Sequence, residues 1–231
     1  MKKSGFTLAE VLITLAIIGV IAALTLPGLM TDTASAQIGP KLAKAVSMFE
    51  QGNEALLNTF SVDSLTDTGL LDGDTPIVTY GDELSNHLKI SPFTYPEGVT
   101  QEALDESTDA SCTIGATFAE GTPFISKDGV LYVINYNAAS IVATNPAHKQ
   151  RIGTVFVDTN GIKTPNAIGT DIFAFSLWND GSLRPVGGAN WSEGAEGECK
   201  WQDTCANNAA ATDYNACAGA IFENNLKVLY K

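Results

Sequence analysis

The stretch that decides the fold is Phe6–Leu26, which reads FTLAEVLITLAIIGVIAALTL and contains one charged residue, Glu10. At about 1.5 Å per residue, such a run forms roughly 30 Å of helix, close to the thickness of a bilayer's hydrocarbon core. Lys2 and Lys3 precede the run, and the next basic residue is Lys41. The positive-inside rule therefore predicts a cytoplasmic N-terminus and export of the remaining chain.

A cleaved secretory signal peptide is the first alternative for this N-terminus. Ala34-Ser35-Ala36 offers a small-residue cleavage site before Gln37. However, the apolar run is longer than the roughly 7–15 residues that signal peptides use. It also contains Glu10, and an acidic residue inside a membrane helix is by default a functional residue with a partner. These two features favour a lasting membrane helix over a signal peptide.

The N-terminal sequence KKSGFTLAE, from Lys2 to Glu10, resembles the processing site of type IV prepilins and type II secretion pseudopilins. In that family a prepilin peptidase cuts after the glycine on the cytoplasmic side, and the new N-terminal residue is methylated. The resemblance implies cleavage between Gly5 and Phe6. It also implies that Phe6 becomes the methylated terminus of the mature protein.

The same resemblance implies roles for three further residues and a set of partners. Glu10 takes the place of the family's glutamate, which pairs with the terminal amine of a neighbouring subunit in the filament. Gly19 and Pro27 match the glycine and proline between which the family's helix loosens on assembly. The implied partners are other pilins, the prepilin peptidase and the bacterial inner membrane. The implied location is that membrane for the precursor, then the periplasm or a cell-surface filament.

Beyond the apolar run, helical spacing continues with Leu42, Val46 and Phe49. This second half is amphipathic and is therefore expected to lie against a globular domain. Gly39-Pro40 predicts a break between the two halves. The predicted domains are a leader peptide at 1–5, a transmembrane or filament-core helix at 6–30, an amphipathic continuation at 31–60 and a periplasmic or extracellular globular domain at 61–231.

The last part of the chain has the pattern of short β-hairpins. Turn residues at Lys127-Asp128-Gly129 and Asn179-Asp180-Gly181 separate runs of apolar and β-branched residues. The predicted elements are a short helix at Asp82–Leu88 and strands at Pro123–Ser126, Val130–Tyr136, Arg151–Val157, Ile172–Trp178 and Ser182–Pro185. The predicted fold class is α+β: a long N-terminal helix, membrane-spanning in its first half, packed on a C-terminal antiparallel sheet, as in pilins.

The chain has 4 cysteines, at Cys112, Cys199, Cys205 and Cys217. An even number in an exported domain predicts two disulfides, and four cysteines allow three pairings. Cys112 is expected to join one of the three C-terminal cysteines. A zinc site is disfavoured, because Cys199 and Cys205 do not have CxxC spacing and no histidine lies near them in the sequence.

A calcium site is the second chemical possibility. Asp158, Asn160 and Asp171 supply hard oxygen donors around a glycine-containing turn, which suits Ca²⁺. The spacing is not that of an EF-hand loop. The alternative is that these side chains cap their own backbone in a rigid connection. The three residues are kept as candidate calcium ligands, and no cofactor is otherwise expected.

Composition excludes several functional classes. With 13 basic against 26 acidic residues the net charge is −13, which argues against a nucleic-acid partner. The sequence carries no phosphate-binding loop and no motif of a hydrolase or metalloprotease. These absences disfavour an enzyme, and the resemblance to prepilins implies a structural filament subunit, a pilin or pseudopilin. The alternative is an exported or membrane-tethered binding domain, with or without calcium, that uses the N-terminus only as a signal peptide.

Overall fold

A computed structural model describes residues 7–72, 76–95, 121–136, 150–163, 168–187 and 217–226, with the side chains of residues 26–35 left out of the description. The chain divides into two compact units, Met1–Gln37 and Ile38–Lys231. Helix α1, at Leu8–Phe60, contributes residues to both. The second unit holds an antiparallel sheet of six strands, so the α+β fold class is confirmed.

The predicted break at Gly39-Pro40 is wrong, because α1 continues through both residues. Proline removes one helical hydrogen bond, but the burial of Leu42 and Phe49 at 0% exposure secures the helix on its C-terminal side. Gly39 is itself buried, and a Cβ at this position would meet the carbonyl oxygen of Leu226 at 1.9 Å. The glycine is therefore required by a close approach and does not end the helix.

Helix α1 ends in a Schellman motif. Ser61 takes a left-handed conformation (φ 55), and its N–H donates to the carbonyl of Asn58 at 3.2 Å. The N–H of Val62 donates to the carbonyl of Leu57 at 3.1 Å. These are the two bonds that satisfy carbonyls at a helix C-terminus.

The shorter helices differ more from expectation. Helix α2 spans Pro76–His87 and so begins earlier than the predicted helix, with a proline at its first position, where the missing N–H has no helical partner to lose. A 3₁₀ turn at Leu65–Thr68 and helix α3 at Cys217–Glu223 were not predicted. Neither is long enough to give a periodic sequence signal.

The strands form an up-and-down meander in chain order. They are β1 (Ile90–Pro92), β2 (Thr122–Ser126), β3 (Leu131–Tyr136), β4 (Arg151–Asp158), β5 (Ile172–Trp178) and β6 (Leu183–Pro185). All neighbouring pairs are antiparallel. Both predicted hairpins are present, and each turn ends in a glycine with positive φ, Gly129 (84) and Gly181 (82). Strand β1 was not predicted.

Apolar side chains are buried on both faces of the sheet. On one face, Tyr132, Val155 and Phe175 share a cluster with Phe49 of α1 and Ile221 of α3. On the opposite face a second cluster holds Leu131, Val133, Phe156, Ile172, Ala174 and Val186. Because adjacent residues of a strand point to opposite faces, β5 is apolar at almost every position, as its sequence IFAFSLW shows.

Buried hydrogen bonds join α1 and α2 to the β5–β6 turn. Asn53, at 0% exposure, donates through Nδ2 to the carbonyl of Gly181 at 2.8 Å. Its Oδ1 accepts from the hydroxyl of Tyr80 at 2.5 Å. One turn earlier on α1, half-buried Glu50 accepts from the N–H of Leu183 at 2.9 Å. Burial raises the pKa of Glu50, the Leu183 N–H opposes the rise and the charge of Asp180 adds to it.

Candidate functional site

The first candidate site is the apolar N-terminal part of α1. Among the described residues, Leu8–Thr25 is the one helical segment whose length and composition suit a membrane span, and none of it is buried within the protein. Its large side chains are exposed, as Leu8 and Leu24 at 78% illustrate. Exposed apolar surface on this scale requires a lipid or protein partner.

Thr7 and Glu10 begin this helix with reciprocal hydrogen bonds. The N–H and the hydroxyl of Thr7 each donate to Oε2 of Glu10 at 2.9 Å. The N–H of Glu10 in turn lies 3.3 Å from the hydroxyl oxygen of Thr7, which accepts from it. This is a capping box, in which a threonine at the N-cap and a glutamate three residues later satisfy N–H groups that lack helical partners.

The other N-terminal candidates are placed only in part. Gly5 and Phe6 lie outside the described residues. Gly19 lies within the helix, and a Cβ added there would meet nothing within 4 Å. The backbone at Pro27 is helical, and its side chain is outside the description. The roles of these residues in processing and assembly stay predictions.

The candidate calcium ligands lie at the two ends of the β4–β5 connection. Asp158 ends β4 and Asp171 precedes β5, and both residues are nearly inaccessible, at 2% and 3% exposure. Oδ1 of Asp158 accepts from the N–H of Asn160 at 3.0 Å and from that of Gly161 at 2.9 Å. The predicted local capping of the backbone is therefore present. Across the connection, the N–H of Thr159 donates to the carbonyl of Asp171 at 2.9 Å.

Three observations bear on whether Asp158, Asn160 and Asp171 suit a cation. Burial raises the pKa of Asp158 to about 7; the N–H of Asn160 opposes the rise, the charge of Asp171 adds to it and the N–H of Gly161 opposes it. The Oδ1 atom of Asn160 is buried and has no hydrogen-bond partner among the described residues. The same residues contain no group of three or more His, Cys, Asp or Glu that could hold a metal. Two carboxylates and one amide oxygen fit Ca²⁺ chemically, and calcium stays a prediction.

Of the four cysteines, Cys217 alone lies within the described residues. It is disulfide-bonded and fully buried in α3, where it packs with the core between α1 and the sheet. Cys112, Cys199 and Cys205 lie outside the described residues. The second disulfide and the pairing therefore stay predictions.

Comparison with known proteins gives a match at the N-terminus of the chain. Residues 1–26 match a family model described as the prokaryotic N-terminal methylation motif. No curated protein and no solved structure matches the chain. The matched motif confirms the likeness to type IV prepilin-like proteins, and it points to a membrane-anchored structural protein rather than an enzyme.

Sequence reasoning overlooked one residue of this site, Thr7. The signal was present, because T-x-x-E before an apolar run is the sequence signature of a capping box. Glu10 was predicted from its charge inside the apolar run and from the resemblance to prepilins. Thr7 supplies both of the donors that the described residues offer to that charge.

Proposed function

We propose that this protein is a pilin or pseudopilin: a structural subunit of a filament of the type IV pilus or type II secretion kind. The prepilin peptidase removes residues 1–5, and Phe6 becomes the methylated N-terminus. Residues 6–30 leave the inner membrane to form the filament core with the helices of other pilins. Residues 31–60 continue the helix, and residues 61–231 form the globular domain in the periplasm or on the cell surface.

The observation that carries this proposal is the exposed apolar helix Leu8–Thr25, with Glu10 inside it and the methylation motif around it. A simple anchor needs apolar length but no acid, and an acid makes membrane insertion less favourable. In a filament subunit the Glu10 carboxylate has a function, because it pairs with the ammonium group of a neighbour's Phe6. Repeated in one direction, this contact joins unlike surfaces and so generates a filament.

Glu10→Leu tests the proposal in cells that lack the wild-type subunit. The variant is expected to be inserted and cleaved normally and to be absent from surface filaments. Thr14→Val is the matched control, because it also removes a polar group from the helix, one that already bonds the carbonyl of Val11 at 2.9 Å. Filaments of normal abundance from Glu10→Leu would favour the alternative, an exported or tethered binding domain.

We also propose that Asp158, Asn160 and Asp171 hold a structural Ca²⁺. The support is the burial of Asp158 and Asp171, the contribution of the Asp171 charge to the raised pKa of Asp158, and the unbonded Oδ1 of Asn160. A divalent cation would offset the repulsion between the carboxylates and occupy that oxygen. The protein would need no cofactor for activity, and the ion would only stiffen the β4–β5 connection.

Thermal unfolding with calcium and with a chelator tests the calcium proposal. At a calcium concentration 100 times Kd, binding adds about 2.7 kcal/mol to the free energy of unfolding, which raises Tm by roughly 5–10 °C for a domain of this size. Asp158→Asn keeps an oxygen for the two backbone N–H groups and should lose the calcium response. Asp82→Asn, at an exposed position of α2, should keep it. An unchanged Tm of the wild-type protein would refute the calcium proposal. Backbone capping would then be the one role left for these side chains.

A further inference from the structure

We propose that Thr7 is a positioning residue for assembly: it holds Oε2 of Glu10 within the subunit and so leaves Oε1 to bind the Phe6 ammonium of a neighbouring subunit. This inference rests on the proposed filament function and adds a second residue to its central contact. Its basis is the unequal use of the two carboxylate oxygens.

Both donors of Thr7 bond one oxygen. The backbone N–H and the hydroxyl each lie 2.9 Å from Oε2, and no donor among the described residues bonds Oε1. A carboxylate has about four acceptor positions on its two oxygens. The capping box therefore occupies one side of the group and leaves the other side to a partner.

Proteolytic processing leaves this arrangement intact. The predicted cut falls between Gly5 and Phe6, whereas the Thr7 N–H belongs to the peptide bond between Phe6 and Thr7. The mature subunit thus keeps both donors while it is in the membrane, before assembly. In lipid no water competes for the carboxylate, so hydrogen bonds to the charged form are the available means of stabilising it before a neighbour arrives.

Holding Glu10 also favours the intermolecular contact. A free glutamate side chain samples several rotamers, and fixing them at the moment of docking costs entropy. In the capping box the side chain is fixed beforehand by three mutual hydrogen bonds. The Phe6 ammonium of the next subunit then meets an oriented acceptor, and the intramolecular bonds do not have to break.

Four variants test whether Oε2 of Glu10 bonds Thr7 while Oε1 binds the neighbour. Each variant is expressed without wild-type subunits. Thr7→Val keeps the shape and removes the hydroxyl donor, and Thr7→Ser restores the donor. Glu10→Gln keeps an oxygen that can accept from Thr7, because glutamine also serves in capping boxes, but it has no charge for an ammonium. The fourth variant combines Thr7→Val with Glu10→Gln. The readout is filament yield per cleaved subunit.

Thr7→Val removes the hydroxyl that donates to the charged Oε2 and accepts from the Glu10 N–H, so it is expected to lower this yield about tenfold or more. Thr7→Ser should stay within about twofold of wild type. The double variant should be no worse than Glu10→Gln alone. Thr7→Val at the wild-type yield, or Thr7→Ser as low as Thr7→Val, would overturn the proposal. Normal filaments from Glu10→Gln would instead refute the proposed role of the Glu10 charge.

A second measurement keeps the test valid if Thr7→Val is cleaved poorly. Hydrogen exchange of the residue 7 amide is followed in the processed, wild-type subunit in detergent and in its Glu10→Leu variant. Loss of the acceptor should speed exchange about tenfold or more, while the amide of Ile17, in the middle of the same helix, should be unchanged. Equal exchange at residue 7 in both proteins would show that the capping box does not hold Glu10, and the proposal would fall.

Discussion

Replacing Asn53 with alanine should destabilise the globular unit more than any exposed substitution on α1. Asn53 is fully buried, and its loss leaves the Tyr80 hydroxyl and the Gly181 carbonyl without the partners that they have now. Burial raises the pKa of Tyr80 far above its ordinary value, so the hydroxyl stays a neutral donor that needs an acceptor. Each buried group left unsatisfied costs about 1–3 kcal/mol. The expected loss is therefore about 4 kcal/mol.

The assay is urea unfolding of the processed protein in detergent, followed by the aromatic circular dichroism of the core. Asn58→Ala is the matched control, because Asn58 is an exposed asparagine on the same helix, and it should change the free energy of unfolding by less than about 0.5 kcal/mol.

Tyr80→Phe should cost about 1–3 kcal/mol, and the double variant should cost less than the sum of the two single changes, because both break the same bond. A loss below about 1 kcal/mol in Asn53→Ala, or strict additivity with Tyr80→Phe, would refute this account of the network.

Four further predictions concern other parts of the chain. Gly5→Leu should leave the precursor uncleaved, so that its mass still includes the leader; a mature mass would contradict the assigned cleavage site. Because burial raises the pKa of Glu50, the folded state keeps this proton to higher pH than the unfolded chain, and stability should fall as pH rises above about 4.5. Glu50→Gln should reduce that fall in urea titrations, and an identical pH profile would count against it. Gly39→Ala should cost about 1–3 kcal/mol, because its Cβ would lie 1.9 Å from a backbone oxygen, whereas Gly19→Ala, which meets nothing within 4 Å, should leave the unfolding of the globular unit unchanged. Peptide mapping without reductant should find Cys112 joined to a C-terminal cysteine, and a free thiol there would disprove the two-disulfide framework.

Sequence patterns predicted the elements in which local and long-range forces agree. The apolar run predicts α1. The turn sequences ending at Gly129 and Gly181 predict two hairpins, because each turn needs a positive φ that glycine adopts easily. The central strands could also be predicted from their sequence pattern. Their apolar content is high at almost every position because the sheet is covered on both faces.

Local rules failed where tertiary contacts override them. Gly39-Pro40 has the composition of a helix break, yet a close approach to Leu226 requires the glycine, and buried neighbours such as Leu42 hold the helix together. Strand β1, at Ile90–Pro92, has three residues and pairs with β2. Such a short strand exists only because its partner is already in place, so no local pattern predicts it.

At the candidate site, chemistry that resides in a single residue was easier to predict than chemistry that needs a pair. Glu10 is conspicuous as a charge in an apolar run, whereas Thr7 matters only through its bonds to Glu10. Asp158 and Asp171 could be named from sequence as oxygen donors. Their near-complete burial, and the resulting rise in the pKa of Asp158, could not be predicted, because both depend on how the β4–β5 connection folds back.

The mass of the N-terminal peptide of the subunit, measured in filaments sheared from the cell surface, tests the central claim most directly. We expect a peptide that begins at Phe6 and carries one added methyl group, with residues 1–5 absent. A mature chain that begins at Gln37, or the absence of this protein from every filament, would contradict the claim that it is a pilin-type subunit.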